Sequence, residues 1–208
     1  ASFNEKIVGS NKIDLIFKIK EFEKQYLSKV NVFGNNITEE KVIRDNLEVD
    51  EGDPFNKILL GKSINNLKSL NIFGKVEYEL ISTENNTKIL NITIEEKPTG
   101  EISAAAGTGT SGSTFGFGIK ENNFLGKNIS LDTNLRFDDE TIKGKFSIIN
   151  PNWNFSDRSL IASIESSVTD KMADYGYETS LTGFNFGSGW EQYDDLYFTP
   201  KISVFHEK

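Results

Sequence analysis

The side chains that could perform chemistry in this chain are few and scattered. His206 is the only histidine and there is no cysteine, so neither a His/Cys metal site nor a well-supported Ser-His-Asp triad can be assembled. Residues 107–112 match a phosphate-binding GxGxxG pattern, but an alternating strand follows where that motif requires a helix. Asp138, Asp139 and Glu140 are typical of a solvated acidic turn. We therefore expect a protein that is not an enzyme, without a metal or a cofactor.

The charge and hydropathy of the chain exclude two further classes of protein. The 208 residues include 23 Lys and Arg against 31 Asp and Glu, a net charge of −8 that argues against binding to nucleic acid. No stretch approaches 18 consecutive apolar residues, so the sequence predicts no transmembrane helix.

The periodicity of the sequence changes at Pro98-Thr99-Gly100. Before this point, short alternating strands are interrupted by helix-period segments, as in a small α+β domain. After it, segments of about ten alternating residues, the length that a tilted β-strand needs to cross a bilayer, are separated by turns. The sequence therefore predicts an α+β domain followed by the antiparallel strands of an incomplete transmembrane β-barrel. Seven strands are predicted, at residues 102–107, 113–120, 129–137, 142–149, 159–169, 175–184 and 197–205.

The first half of the chain reads strand, helix, helix, strand, strand. The strands are predicted at residues 27–33, 76–81 and 88–95. A short helix starting at Thr38 buries Val42, Ile43 and Leu47; a second carries Leu60, Ile64 and Leu67, with Gly74 at its C-cap. Leu15 and Phe17 align with Leu90 and Ile92, which suggests a repeated unit. We therefore divide the chain into the last hairpin of a preceding copy (1–23), a complete copy (24–97) and the barrel strands (98–208).

Several motifs carry a resemblance to a known family. The order of elements, with the passage LKSLNIFGKVEYEL at residues 67–80, resembles a POTRA domain. The junction at residues 97–100, the Asn-Phe-Leu-Gly turn at 123–126 and the Asn-Pro turn at 150–151 resemble the first barrel strands of the BamA family. The fold that this implies is an α+β POTRA domain in the periplasm, followed by part of a 16-stranded barrel in the Gram-negative outer membrane.

The resemblance also implies a function and partners. It implies an insertase that folds outer-membrane β-barrel proteins and inserts them by strand pairing at a lateral gate. Its partners would be unfolded outer-membrane proteins, accessory assembly lipoproteins of the BamD type and the lipid of the outer membrane. A two-partner secretion transporter, which also combines POTRA domains with a barrel, is the alternative. A soluble β-rich adhesin or enzyme is disfavoured by the aromatic turns and the missing catalytic groups.

The first barrel strand is the candidate lateral gate. Small side chains with low β-propensity weaken a strand seam, which suits an edge that must open. The alternative is that these small residues only pack against a neighbour. The gate residues are Glu101, Ile102, Ser103, Ala104, Ala105, Ala106, Gly107 and Thr108.

The α+β domain supplies a second candidate edge and a docking face. An exposed strand could pair with an extended client through backbone hydrogen bonds, unless its charges, Glu77 and Glu79, protect it. This predicted edge comprises Val76, Glu77, Tyr78, Glu79, Leu80 and Ile81. Arg44, Asp45 and Asn46 correspond to the face where the family docks a lipoprotein, although an acidic residue is usual where Asn46 stands.

Every second predicted turn of the barrel is rich in aromatic residues. The intervening turns, at residues 108–112, 138–140 and 170–174, contain no aromatic residue. Alternate turns of a barrel lie on the same side of the membrane, so this sorting predicts an aromatic girdle at one interface. The predicted interface residues are Phe124, Trp153, Phe155, Phe186, Trp190 and Tyr193.

Overall fold

A computed structural model of the chain describes residues 2–9, 12–18, 23–109, 112–193 and 196–208, which form three sheets. The first is an antiparallel hairpin of β1 (Ser2–Gly9) and β2 (Lys12–Lys18). In the described parts of the chain, no helix is both long enough and apolar enough to span a membrane.

The α+β domain has the predicted order of elements. It consists of β3 (Tyr26–Phe33), α1 (Glu40–Arg44), α2 (Lys57–Ser69), β4 (Phe73–Ser82) and β5 (Thr87–Glu96). The sheet order is β3-β5-β4, with β5 parallel to β3 and antiparallel to β4. A central β5 explains why its apolar side chains are the most deeply buried of the sheet.

One hydrophobic cluster holds the helices against this sheet. The predicted stripe of Leu60, Ile64 and Leu67 on α2 is buried, and it packs with Leu90 and Ile92 of β5. Burial of such side chains is the main stabilising term of a small domain.

The end of α2 differs from the sequence prediction. The helix stops at Ser69, and Asn71, with φ of 57°, makes the left-handed turn that was assigned to Gly74. Gly74 instead lies in β4. Asparagine substitutes for glycine here because its short polar side chain tolerates the left-handed region.

The third sheet contains the predicted membrane strands in chain order. Each strand from β6 to β11 is antiparallel to its neighbour, and both β12 and β13 pair with β11. The seventh predicted segment is thus divided at Pro200, which has no backbone N–H to donate. The strands are β6 (Gly100–Gly109), β7 (Gly112–Phe124), β8 (Ile129–Asp138), β9 (Thr141–Asn150), β10 (Arg158–Lys171), β11 (Tyr177–Tyr193), β12 (Leu196–Phe198) and β13 (Lys201–Glu207).

The register gives this sheet one apolar and one polar face. Directly paired residues point to the same face, and Leu135 is paired with Phe117 and Gly144 while Asn134 is paired with Gly118 and Lys145. The apolar face, which the alternation predicts to face lipid, carries Ile102, Phe117, Leu135, Phe146, Ile164, Phe184 and Val204.

Side chains crowd together on the polar face. A Cβ atom added at Gly183 would lie 2.5 Å from the ring of Phe205, and one added at Gly118 would lie 2.5 Å from the hydroxyl of Ser103. Side chains converge on the concave side of a curved sheet, so these buried glycines are what the inner wall of a barrel requires.

Candidate functional site

The candidate gate strand, β6, is the first strand of the barrel sheet. Within the described residues β6 pairs only with β7, and every residue of β6 is exposed. On the apolar face Ala104 and Ala106 are paired with Phe117 and Phe115, so the seam sets methyl groups against aromatic rings. The predicted gate residues, 101–108, therefore form one continuous strand that is paired with β7 along its whole length.

The predicted edge of the α+β domain is also an open strand. Among the described strands β4 pairs only with β5, and the predicted residues 76–81 all lie within it. The ion pair between Lys75 and Glu77, at 2.8 Å, lies along the strand, and both of its side chains are exposed. The backbone edge of β4 is therefore available to an extended chain.

The opposite edge of the same sheet is closed by the domain itself. The guanidinium of Arg44 donates to the carbonyl of Val30 at 2.9 Å, and the Val30 N–H donates to Glu51 at 3.0 Å. Earlier in β3, the Leu27 N–H donates to the carbonyl of Asp53 at 2.9 Å. These contacts occupy the outer backbone groups of Leu27 and Val30, which favours β4 as the edge that could add a strand.

The proposed docking residues have structural contacts of their own. Arg44 is paired with Glu40 at 2.7 Å, and hydrogen bonding to Glu40 raises the pKa of Arg44. Asn46 donates to the Val42 carbonyl at 2.7 Å. Asp45 is exposed, and desolvation together with the nearby carboxylate of Asp157 raises its pKa, although Lys41 opposes this. Of the three, Asp45 is therefore the side chain most open to a partner.

A contact between the two parts of the chain was missed at the sequence level. The side-chain amide of Asn123, at the end of β7, donates to the hydroxyl of Thr38 at 2.9 Å. The Glu39 N–H donates to the carbonyl of Gly126, also at 2.9 Å. Thr38 reads locally as a helix-start residue, and only the tertiary fold places it against the barrel turn.

The loop that makes this contact is organised by Glu96 at the end of β5. Its carboxylate accepts the N–H groups of Asn36, Ile37 and Thr38 at 2.9, 2.9 and 2.6 Å. Desolvation alone would raise the pKa of Glu96, but these bonds and the Thr38 hydroxyl together lower it below 4.5.

The lowered pKa of Glu96 gives a pH-dependent prediction. A carboxylate with a depressed pKa in the folded state contributes stability above its unfolded pKa, and this is lost as the pH falls through the folded value. We expect the loop at residues 36–38 to loosen only below pH 4.5. The Thr38 amide shift in an NMR titration reports this step, and Glu96→Gln is expected to abolish it. A midpoint at or above 4.5 would contradict the assignment.

Comparisons with known proteins agree with this arrangement. Residues 25–97 match the POTRA family, described as surface antigen variable number repeat. The outer membrane protein assembly factor BamA of Neorickettsia risticii is 27% identical over 129 residues, which are 62% of this chain and 18% of the relative. BamA of Nitratidesulfovibrio vulgaris is 26% identical over 164 residues, 76% of this chain and 20% of the relative. The chain thus spans about a fifth of these relatives.

Solved structures give the same result for the fold. BamA from Haemophilus ducreyi lacking POTRA domains 1–3 superposes with a TM-score of 0.76 over 99% of this chain and 40% of that one, at 20% identity. CdiB from Acinetobacter baumannii superposes less closely, with a TM-score of 0.56 at 16% identity, over 88% of this chain and 39% of that one.

The chain is similar to the BamA proteins in sequence and in fold. It is a POTRA-barrel protein of the outer membrane, with the POTRA domain in the periplasm. Asn123, at the end of β7, and Gly126, in the turn that follows, contact the POTRA domain, so this turn lies on the periplasmic side. The segment at residues 151–157 lies on the same side because the strands alternate in direction.

The aromatic residues of these periplasmic turns are distributed differently from the prediction. Phe124 ends β7 and Trp153 lies in a 3-10 turn, but β11 continues to Tyr193, so Phe186 and Trp190 lie within a strand. Their assignment to a turn was wrong because pairing with β10 and β12 extends β11. The Phe155 side chain lies outside the described residues.

Trp190 is held near the end of β11. It packs edge-on against Phe198 with the ring centroids 5.2 Å apart, and the Arg158 guanidinium lies 5.7 Å from its ring. This amphipathic environment suits a residue at the membrane surface, and the girdle as a whole stays a prediction.

Proposed function

We propose that this chain is the POTRA-proximal part of an insertase that folds and inserts outer-membrane β-barrel proteins. The observation that carries the proposal is the composition of β6, the first strand after the POTRA domain: its central Ala104, Ala105 and Ala106 give a weakly pairing strand whose outer edge could open to a client. In lipid, each unsatisfied backbone N–H or C=O costs several kcal/mol. A nascent client strand that paired with this edge would satisfy both partners at once.

The POTRA edge would act before the gate. Client chains in the periplasm are extended, and β4 offers them a backbone edge that makes little demand on side-chain sequence. Since β3 is closed by Arg44, Glu51 and the segment around Asp53, a client can be added at one side of the sheet only. We propose unfolded outer-membrane proteins as the clients, with accessory lipoproteins and lipid as the other partners.

Site-specific crosslinking tests the gate. We expect Ala105→Cys in β6 to crosslink to a stalled outer-membrane client bearing cysteines, and Ser147→Cys in β9 to crosslink far less. The two positions are matched because both carry small side chains on the polar face of the sheet, but β9 is paired on both sides. The absence of cysteine from this chain keeps its background low.

The crosslinking pattern also separates the insertase from a two-partner secretion transporter. A substrate that passes through the lumen would contact the polar face of β9 as readily as that of β6, and it would appear outside the cell. Equal crosslinking at residues 105 and 147 would therefore overturn the gate assignment and favour export.

A further inference from the structure

The contact between the POTRA domain and the barrel is built from polar groups that are shielded from water. Thr38 is only 3% exposed and Asn123 only 7%, and the hydrogen bond between them is 2.9 Å long. A buried donor or acceptor that loses its partner keeps the cost of desolvation, so the two side chains hold each other in place. An exposed ion pair between Lys127 and Glu39, at 3.6 Å, lies at the rim of the contact and contributes little.

The backbones of the two parts approach closely at Gly126. A Cβ atom at this position would lie 2.1 Å from the carbonyl oxygen of Ile37, and Gly126 has φ of 70°. Only glycine meets both requirements, because a side chain would strike the POTRA loop and would strain the turn. The turn is therefore shaped to receive this loop.

The hydrogen bonds form a continuous path through the joint. The Thr38 N–H donates to Glu96 at 2.6 Å, and the Thr38 hydroxyl accepts from Asn123 at 2.9 Å. The Asn123 N–H donates to Glu121 at 2.7 Å, and the same carboxylate oxygen accepts from the Thr99 hydroxyl, directly before β6. The path thus runs from the end of β5 to the base of the gate strand.

The contact is separate from the hydrophobic core of the POTRA domain. All members of the buried apolar cluster belong to residues 27–94 of the POTRA domain, and none belongs to the barrel. Water can replace polar contacts of this kind at small net cost, so the domains can separate without either of them unfolding.

We propose that Glu96, Thr38 and Asn123 form a polar lock that holds the POTRA domain docked on the periplasmic turn between β7 and β8. Glu96 acts through the loop at residues 36–38, Thr38 bridges the two parts, and Asn123 receives the loop on the barrel side. The lock fixes the orientation of the β4 edge relative to β6. Any effect of this orientation on how clients pass from β4 to β6 rests on the proposed function. The docking of the POTRA domain on the barrel does not depend on it.

Distances between spin labels in the whole protein in lipid bilayers test the lock. Labels at Lys62→Cys, on the exposed side of α2, and at Tyr175→Cys, at the opposite end of the barrel strands, report the orientation of the POTRA domain. We expect one dominant distance in the parent protein. Thr38→Val and Asn123→Leu, which keep the size of each side chain, should each lower the docked-to-undocked ratio about tenfold, the effect of one buried hydrogen bond.

A double variant and two controls make the result specific. Thr38→Val combined with Asn123→Leu should cost less than the sum of the two single changes, because both remove the bond between these side chains, while Asn123→Leu also removes the bond from the Asn128 N–H within the turn. Thr93→Val, a matched change on an exposed position of β5, and Lys127→Gln, which removes only the rim ion pair, should leave the distances unchanged. Asn123→Leu leaves the POTRA sequence intact, so its effect cannot come from a misfolded POTRA domain.

The lock and the proposed function are tested by different measurements, the spin-label distances and the client crosslinks. Unchanged distances in both Thr38→Val and Asn123→Leu would overturn the lock, whatever the crosslinking shows. A loss of the docked distance in Lys127→Gln of the same size would overturn it as well, because the rim ion pair would then hold the domains. The distance measurement needs no client, so a failure of the gate experiment leaves it valid.

Discussion

Leu135→Lys is expected to destabilise the membrane-inserted barrel by about 2 to 4 kcal/mol, the cost of a lysine on the lipid face near the bilayer midplane. Leu135 lies on the apolar face of β8, where it is paired with Phe117 and Gly144. Nothing polar on the neighbouring paired positions can neutralise an ammonium group there. The free energy of folding of the whole protein into lipid vesicles, measured by denaturant titration, gives the effect.

Two further lysine substitutions act as controls for depth and face. Asn134→Lys, next along β8 and on the polar face beside Lys145, should assemble nearly as the parent does. Leu131→Lys should cost only about 0 to 1 kcal/mol, because Leu131 lies near the periplasmic end of β8 and is paired with Glu121. If Leu135→Lys were tolerated while Asn134→Lys blocked assembly, the two faces would have been assigned the wrong way round.

Leu90→Ala is expected to destabilise the POTRA domain by about 2 to 5 kcal/mol, through lost burial and the cavity that remains. Leu90 lies in the central strand β5, is fully buried and packs in the cluster with Leu67 and Ile92. Native-state hydrogen exchange of the β5 amides measures the loss without interference from the barrel.

The matched control for this core substitution is Ile58→Ala. Ile58 lies in the first turn of α2 with 73% of its surface exposed, so its truncation should change stability by no more than about 0.5 kcal/mol. Equal effects of the two substitutions would mean that the cluster around Leu90 does not hold the domain together. Membrane insertion of the barrel strands should be unaffected by Ile58→Ala.

The sequence predicted the order of elements in both halves because that information is local. The spacing of Leu60, Ile64 and Leu67 gives a helical stripe, and all three side chains are buried. The alternation in residues 129–137 gives a strand with two unlike faces, and the register preserves those faces across the sheet. Errors occurred where neighbours outweighed local signals, at the end of α2 and along β11, which pairing carries as far as Tyr193.

The sequence also singled out β6 and β4 as candidate edges from their composition and from the resemblance, but it did not show which strands lie beside them. Their composition suggests a weak seam and a charged strand, whereas an edge is defined by the strands that do not lie beside it. The closure of β3 by Arg44 and Glu51 had no local signal, because it depends on where α1 and the loop after it are placed. The structure thereby leaves β4 as the open edge of the POTRA sheet.

By itself, the sequence determined the two kinds of periodicity, the junction at residues 97–100 and the alternation of apolar and polar side chains, because each arises from the geometry of a single helix or strand. Only the tertiary structure decided how the POTRA domain meets the barrel. Thr38 and Asn123 are 85 residues apart, and neither carries a signal that predicts the other. Their hydrogen bond exists because the packing of β5 and the β7–β8 turn brings two shielded polar groups together, where each requires a partner.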